Sequence, residues 1–175
     1  MIRIVAEVGA DAVTHRRVAQ EAGLPLASTT YWFDSKEHLL TAALERAADR
    51  DISRLRAFLR DAPDDADPLA LAVDAIVGSL EDTAQSSRSS LVATYALMLE
   101  AARRPAMRAI NQRWTEAYLD SLERLLGVAG SAEPRADAVI LLAAADGLFV
   151  EQLTSEEAPE LGPQLRRLAE ALVAA

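Results

Sequence analysis

Apolar residues recur every three or four positions along almost the whole chain, and no four-residue stretch alternates apolar with polar between turn residues. That periodicity commits the chain to helices, and the fold class that follows is all-α. One stripe, Leu40, Ala43, Leu44, Ala47, Ala48, Ile52, Leu55 and Leu59, predicts a single helix over residues 35–60, with Asp34 or Ser35 as its N-cap. Further core-facing stripes run Leu69, Val73, Ile76, Val77 and Leu80, then Leu91, Val92, Tyr95, Met98 and Leu99, then Met107, Ile110, Trp114, Tyr118, Leu122 and Leu125. Pro63, Pro68, Pro105, Pro134, Pro159 and Pro163 fall between stripes or at their first turns, where a missing N–H costs nothing. Gly9, Gly23, Gly127, Gly130 and Gly162 mark helix ends, whereas Gly78 and Gly147 sit inside expected helices. Each of those two costs about 1 kcal/mol relative to alanine unless something approaches closely there. Residues 85–90 read as a loop or an irregular join between helices.

A chain of 175 residues can bury a real core. Its longest nearly uncharged stretch, residues 138–150, contains Asp146 and is shorter than the roughly 20 residues that cross a bilayer. No signal-like segment opens the sequence and there is no cysteine, so a cytoplasmic location without disulfides is expected. The net charge of −9 argues at first against nucleic acid, whose affinity rests on neutralised phosphates. The distribution changes that reading. Residues 1–38 hold four basic groups against five acidic ones, with both histidines, leaving about −8 on the remainder. A local positive face is compatible with that balance.

That front end reads as three short helices: residues 2–8 ended by Gly9, residues 15–22 capped by Thr14 and ended by Gly23, and residues 25–33. The connection between the second and third is about three residues and contains a glycine, which makes the helices cross steeply and suits laying the third in a DNA major groove. Val5, Val13, Val18, Ala19, Leu24 and Phe33 are available for the small core beneath them. An ordinary helical corner is the alternative reading of the same pattern.

The run GADAVTHRRVAQEAGLPLASTTYWFDSKEHLLTAAL, residues 9–44, resembles the DNA-binding domain of TetR-family transcriptional regulators. The likeness includes the Thr before the second helix, the Ala-Gly turn, the aromatic cluster and the Phe-x-Ser-Lys-Glu-x-Leu-Leu that starts the fourth helix. It covers about a fifth of the chain, and residues 95–114 look like a C-terminal domain found in one branch of that family. Two departures bear on DNA binding. Thr29 and Thr30 stand where many members have an apolar residue and then Tyr, with Tyr31 one place later, so no operator sequence carries over. The first helix begins almost at Met1, where members have a further turn or two that helps grip phosphate; weakened DNA binding or a longer natural chain is expected from this.

The resemblance implies a helix-turn-helix domain over residues 1–45 and a ligand-binding and dimerisation domain over residues 46–175. Thr14, Arg16, Arg17 and Lys36 match positions that contact backbone phosphate, which positions a protein without specifying sequence. Lys36 is the chain's lone lysine beside seventeen arginines. His15, in the first turn of its helix, is within reach of phosphate or is simply solvated. Ser28, Thr29, Thr30 and Tyr31 lie on or near the exposed face of the third helix, where hydroxyls and methyls read base edges. One of the two threonines is expected in the core, and Trp32 and Phe33 are expected to close the domain against the fourth helix.

In the larger part, Tyr95, Met98, Leu99, Trp114, Tyr118, Asp146, Phe149 and Gln152 are the candidates for lining an effector cavity, against the alternative of a plain aromatic core. Asp146, amid apolar neighbours, is expected to be paired, hydrogen-bonded or at an interface. The helix over residues 136–153 is apolar nearly all round, and its small residues Ala143, Ala144, Ala145 and Gly147 suit close approach by a second helix. With Leu165, Leu168, Ala169, Leu172 and Val173 it resembles the family's four-helix dimer interface. The expected partners are therefore a near-palindromic double-stranded operator, a small and mostly apolar effector, and a second copy of the chain. The helix over residues 35–60, running into both parts, is expected to transmit effector binding to the DNA-binding end.

Two other classes compete. An enzyme is disfavoured by the lack of cysteine, of a Gly-x-Ser-x-Gly elbow, of a phosphate-cradling glycine loop and of any histidine beyond His15 and His38; no metal or cofactor site is expected. A DNA-inert helical interaction protein is the second, suggested by the short first helix and the acidic balance.

Overall fold

A computed structural model describes residues 1–86, 88–155, 157 and 160–175, except for the side chains of residues 80–88. Among the described residues there are nine α-helices, one 3-10 turn and no strand. They are α1 (Ile2–Val8), the 3-10 turn (Ala10–Ala12), α2 (His15–Ala22), α3 (Leu26–Trp32), α4 (Lys36–Arg60), α5 (Pro68–Ser86), α6 (Arg88–Glu100), α7 (Pro105–Ala129), α8 (Pro134–Thr154) and α9 (Leu161–Val173). Where a join was expected over residues 85–90, residues 85–86 close α5 and residues 88–90 open α6, while Ser87 lies outside the described residues, as do Pro159 and the side chain of Leu80.

The chain divides into two compact units. The first comprises Met1–Arg50 and Thr83–Trp114, and the second Asp51–Asp82 and Thr115–Ala175. In the first unit α1 packs along α6. Its core joins Ile4 and Val5 of α1, Ala10 and Val13, Leu39, Leu40, Leu44 and Ala48 of α4, Ala93 and Leu97 of α6, and Met107 and Ile110 of α7. Val18, Phe33, Met98 and Trp114 pack partly buried against it. Full burial contributes about 1.5–3 kcal/mol for each of the core's valine, leucine, isoleucine and methionine side chains, and less for its alanines.

The buried face of α6 differs from the expected stripe. Leu91 faces inward as expected, but the other inward positions are Ala93 and Leu97, with Ala101 just beyond the helix, while Val92 and Leu99 are exposed. This helix is apolar on every side, so its period is clear and its phase is not. Leu24, expected in the small core, is 53% exposed in the turn before α3. Trp32, expected to close against α4, is also turned outward; Phe33 alone packs inward.

The second unit buries Ile52 and Leu55 of α4, Val73 and Ile76 of α5, Leu119, Leu122 and Leu126 of α7, Leu141 and Phe149 of α8, and Leu161 and Leu165 of α9. Helices α8 and α9 pack on each other. Along α8 the inward positions are Asp137, Ala138, Leu141, Ala145 and Phe149, one face of a helix. The opposite face is also apolar: Val139, Ile140 and Val150 are 48%, 47% and 48% exposed, with Ala143 and Gly147 between them. A Cβ built on Gly78 or Gly147 meets nothing within 4 Å, so neither glycine is required by a neighbour in this chain.

Candidate nucleic-acid interface

Three local devices shape the α2–α3 corner. Thr14 Oγ1 accepts the Arg17 N–H at 3.2 Å and caps α2. Gly23 ends the helix in the left-handed region at φ 64°, and the Leu24 N–H reaches back to the Ala19 carbonyl at 2.9 Å. With Pro25 capping α3, the connection is only Gly23, Leu24 and Pro25. Ser35 then starts α4 by accepting the His38 N–H at 3.1 Å.

Packing separates the two threonines of α3. Thr29 is 5% exposed, and its hydroxyl donates to the Leu26 carbonyl at 2.9 Å and, across to α2, to the His15 carbonyl at 3.3 Å. Thr30 is exposed, its hydroxyl shared between the Leu26 and Ala27 carbonyls of its own helix. Tyr31 and Trp32, 77% and 69% exposed, meet edge to face at 5.0 Å. Ser28 is half-buried. Leu24 and Leu26 are also about half exposed, so large apolar side chains gather on the outer side of this corner. Trp32 was not among the sequence candidates; its signal was its place directly after Tyr31, read instead as a closing contact.

The cations lie on the preceding elements. Arg16 and Arg17 are exposed on α2, and Arg17 Nη1 donates to the Ala12 carbonyl at 3.4 Å. Lys36 Nζ donates to the Asp11 carbonyl at 2.9 Å and stands 3.3 Å from the Asp11 carboxylate, tying the first turn of α4 to the 3-10 turn. Arg3 pairs with Glu21 between α1 and α2. His15 is half-buried, and among the described residues its Nδ1 has no hydrogen-bond partner.

The effector candidates divide between the units. Tyr95, Met98 and Trp114 are half-buried in the first, and Leu99 is 74% exposed there. In the second, Tyr118 and Phe149 are buried, Gln152 is half-buried and Asp146 is exposed. Tyr118 takes part in a polar cluster that sequence reading did not find. Its hydroxyl donates to Asp51 Oδ2 at 2.8 Å, Ser79 Oγ donates to Asp51 Oδ1 at 2.7 Å, and Arg54 pairs with the same carboxylate. Burial, reinforced by the Asp51 charge, holds the Tyr118 hydroxyl well above the ordinary tyrosine range. The available signal was an acidic residue at position 51 within the α4 stripe, between Ala48 and Leu55. Among the described residues no cluster suited to a metal ion occurs, and no helix is long and apolar enough to cross a membrane.

The family described as Tetracyclin repressor-like, C-terminal domain, matches residues 67–175. No curated protein sequence matches the chain significantly. Among solved structures, a member of the TetR family from Streptomyces coelicolor A3 is 30% identical over 98% of this chain and 92% of its own, with a TM-score of 0.72. The multidrug binding protein EbrR complexed with ethidium is 30% identical, covers 98% and 92% of the two chains and superposes with a TM-score of 0.70. A transcriptional regulator from Rhodococcus sp. Rha1, 23% identical over 99% of this chain and 91% of its own, shares the fold with a TM-score of 0.85. The helix-turn-helix at the front, the matched domain over residues 67–175 and these likenesses along nearly the whole chain together make it a member of the TetR family of transcriptional regulators.

Proposed function

We propose that this regulator is a cytoplasmic homodimeric repressor that leaves a near-palindromic operator when a small, mostly apolar effector binds. The observation that carries the DNA-binding part is the outward presentation of Arg16, Arg17, Thr30, Tyr31 and Trp32 on two helices joined by a three-residue turn. In this reading residues 1–45 bind DNA and residues 46–175 hold the effector and the dimer contact. Thr14, His15, Arg16, Arg17 and Lys36 take phosphate, while Ser28, Thr30 and Tyr31 take base edges, with Thr29 bracing the helix from beneath. Tyr95, Met98, Leu99 and Trp114 in the first unit and Tyr118, Asp146, Phe149 and Gln152 in the second remain the proposed effector residues, each group taken by itself, and the ethidium complex of EbrR supports ligand binding as a property worth testing. The exposed apolar face of α8 supports self-association. Because α4 is one uninterrupted helix from Lys36 to Arg60, an effector that alters its far end has a continuous element through which to act. A differential effector affinity of about 1–3 kcal/mol changes operator affinity about 5- to 150-fold, and the operator must weaken effector binding equally.

The test is a gel-shift titration against the region upstream of the protein's own gene, with salt varied. Saturable, sequence-selective and salt-sensitive retardation is expected, with half-sites about 34–36 Å apart or a multiple of that. Retardation no better than that of unrelated DNA favours the second reading, a DNA-inert interaction protein, for which the overall charge of −9 is the supporting observation.

A further inference from the structure

The last turns of α4 carry Arg56 and Arg60 four residues apart on one exposed face, beside the inward-turned Leu55 and Leu59. Alongside runs an α7 stripe that ends in Arg124. Because Ala117 and Ser121 on that stripe are short, the two helices leave a groove of about 370 Å³ between them, within the size range of small-ligand sites. Its floor is apolar through Leu55 and Leu59, and its rim carries three guanidinium groups against the single carboxylate of Asp120. That carboxylate is already held by Arg135 at 2.9 Å. Arg60 Nε is 3.2 Å from its neighbour Asp61, while among the described residues Arg56 and Arg124 have no carboxylate partner. In a chain with 27 acidic and 18 basic residues, three arginines converging on one apolar groove with so little local compensation is a specific arrangement.

We propose that this groove binds an amphipathic organic anion, its carboxylate or phosphate head held by Arg56, Arg60 and Arg124 and its apolar body lying on Leu55 and Leu59. Guanidinium forks match both head groups with paired N–H donors, and a half-desolvated anion gains more from them than one in bulk water. The Ser121 hydroxyl already donates to the Ala117 carbonyl at 2.8 Å within its own helix, so it contributes space rather than a donor. None of the residues assigned above to DNA or effector lines the groove, so binding there is measured separately from the operator and effector assignments.

Isothermal titration of the full chain tests it, with decanoate and decyl phosphate below their micelle concentrations as probes and decan-1-ol as the uncharged control. The expected result is one saturable site per chain for the anions, with the alcohol weaker by about tenfold. Paired Arg56→Glu and Arg124→Glu changes should weaken both anions about tenfold or more, and Ser121→Leu should fill the groove and remove binding without touching charge. The stronger of the two anions identifies the head group. Both arginines are exposed, so the paired variant should keep the wild-type melting temperature; the neutral pair Arg56→Gln and Arg124→Gln, expected to fall between it and the wild type, supplies a second reading. Equal binding of alcohol and anion, unchanged anion binding in the variants, or no anion binding by the wild type would overturn the proposal. No DNA enters the titration, so its outcome leaves the operator reading untouched.

Discussion

The two threonines of α3 offer a sharp separation of stability from recognition. Thr29→Val keeps the shape of the side chain and deletes a hydroxyl that donates to the Leu26 carbonyl at 2.9 Å and the His15 carbonyl at 3.3 Å. Both carbonyls lie at helix positions where a backbone N–H also reaches them, so removing the hydroxyl orphans neither, and the cost is that of one net hydrogen bond, about 1 kcal/mol. In a protein of this size that lowers the melting temperature by about 2–4 °C. Operator preference should not move, because Thr29 is buried beneath the exposed face. Thr30→Val makes the complementary change at an exposed position. Its stability should stay within about 0.5 kcal/mol of wild type, while preference at one base pair shifts by about 1–3 kcal/mol, which is about 5- to 150-fold. Circular-dichroism melts measure the first quantity, and competition binding against operators randomised one position at a time measures the second. Should Thr29→Val redirect base preference as much as Thr30→Val, or leave the melting temperature unchanged, the division between a bracing and a reading threonine is wrong.

Three other outcomes follow from the same structure. Arg17→Ala should weaken binding to every sequence alike and reduce the slope of log affinity against log salt by about one unit in anisotropy titrations; a changed operator preference instead would place Arg17 on the bases. Ile140→Glu or Gly147→Glu, on the exposed apolar face of α8, should yield a monomer at micromolar concentration by light scattering, and a wild type that is itself monomeric there removes this face as the dimer contact. Tyr118→Phe should cost about 1.5–3 kcal/mol through the lost bond to the Asp51 carboxylate. Because the Tyr118 hydroxyl titrates above its unfolded value, its contribution is complete below about pH 10 and is lost as pH rises through the folded value. The wild type should therefore lose stability in that alkaline range more steeply than Tyr118→Phe, as read from urea titrations at several pH values.

Where punctuation and periodicity agree, the fold is legible in the sequence. The ends of α1, α2 and α4 follow from Gly9, Thr14, Gly23 and Ser35, residues whose backbone or capping chemistry acts locally. The inward face of α6 did not follow, because Leu91, Val92, Ala93, Leu97, Met98 and Leu99 leave no polar side to exclude. Likewise, two adjacent threonines have the same chemistry until packing buries one, and Leu24 and Trp32 look like core until the turn before α3 and the end of α3 turn them outward. Asp51 escaped for a related reason: a charge in an apolar stripe reads as a break, and its partners Ser79 and Tyr118 lie 28 and 67 residues away. The polar interior is set by long-range contacts that no local period encodes.

The tie between Lys36 and Asp11 makes the end proposed to face DNA chemically addressable. Apart from the amino terminus, Lys36 is the sole aliphatic amine in the chain, the other seventeen basic side chains being arginines. Among side chains, an amine-directed reagent or an acetyl group therefore has this one junction as its target. Neutralising the ammonium removes the partner of an Asp11 carboxylate that is 95% exposed and shifts the charge of residues 1–38 from −1 to −2. A single acylation thus adds repulsion toward phosphate beside the 3-10 turn while loosening the anchor of α4, two effects of the same sign from one atom.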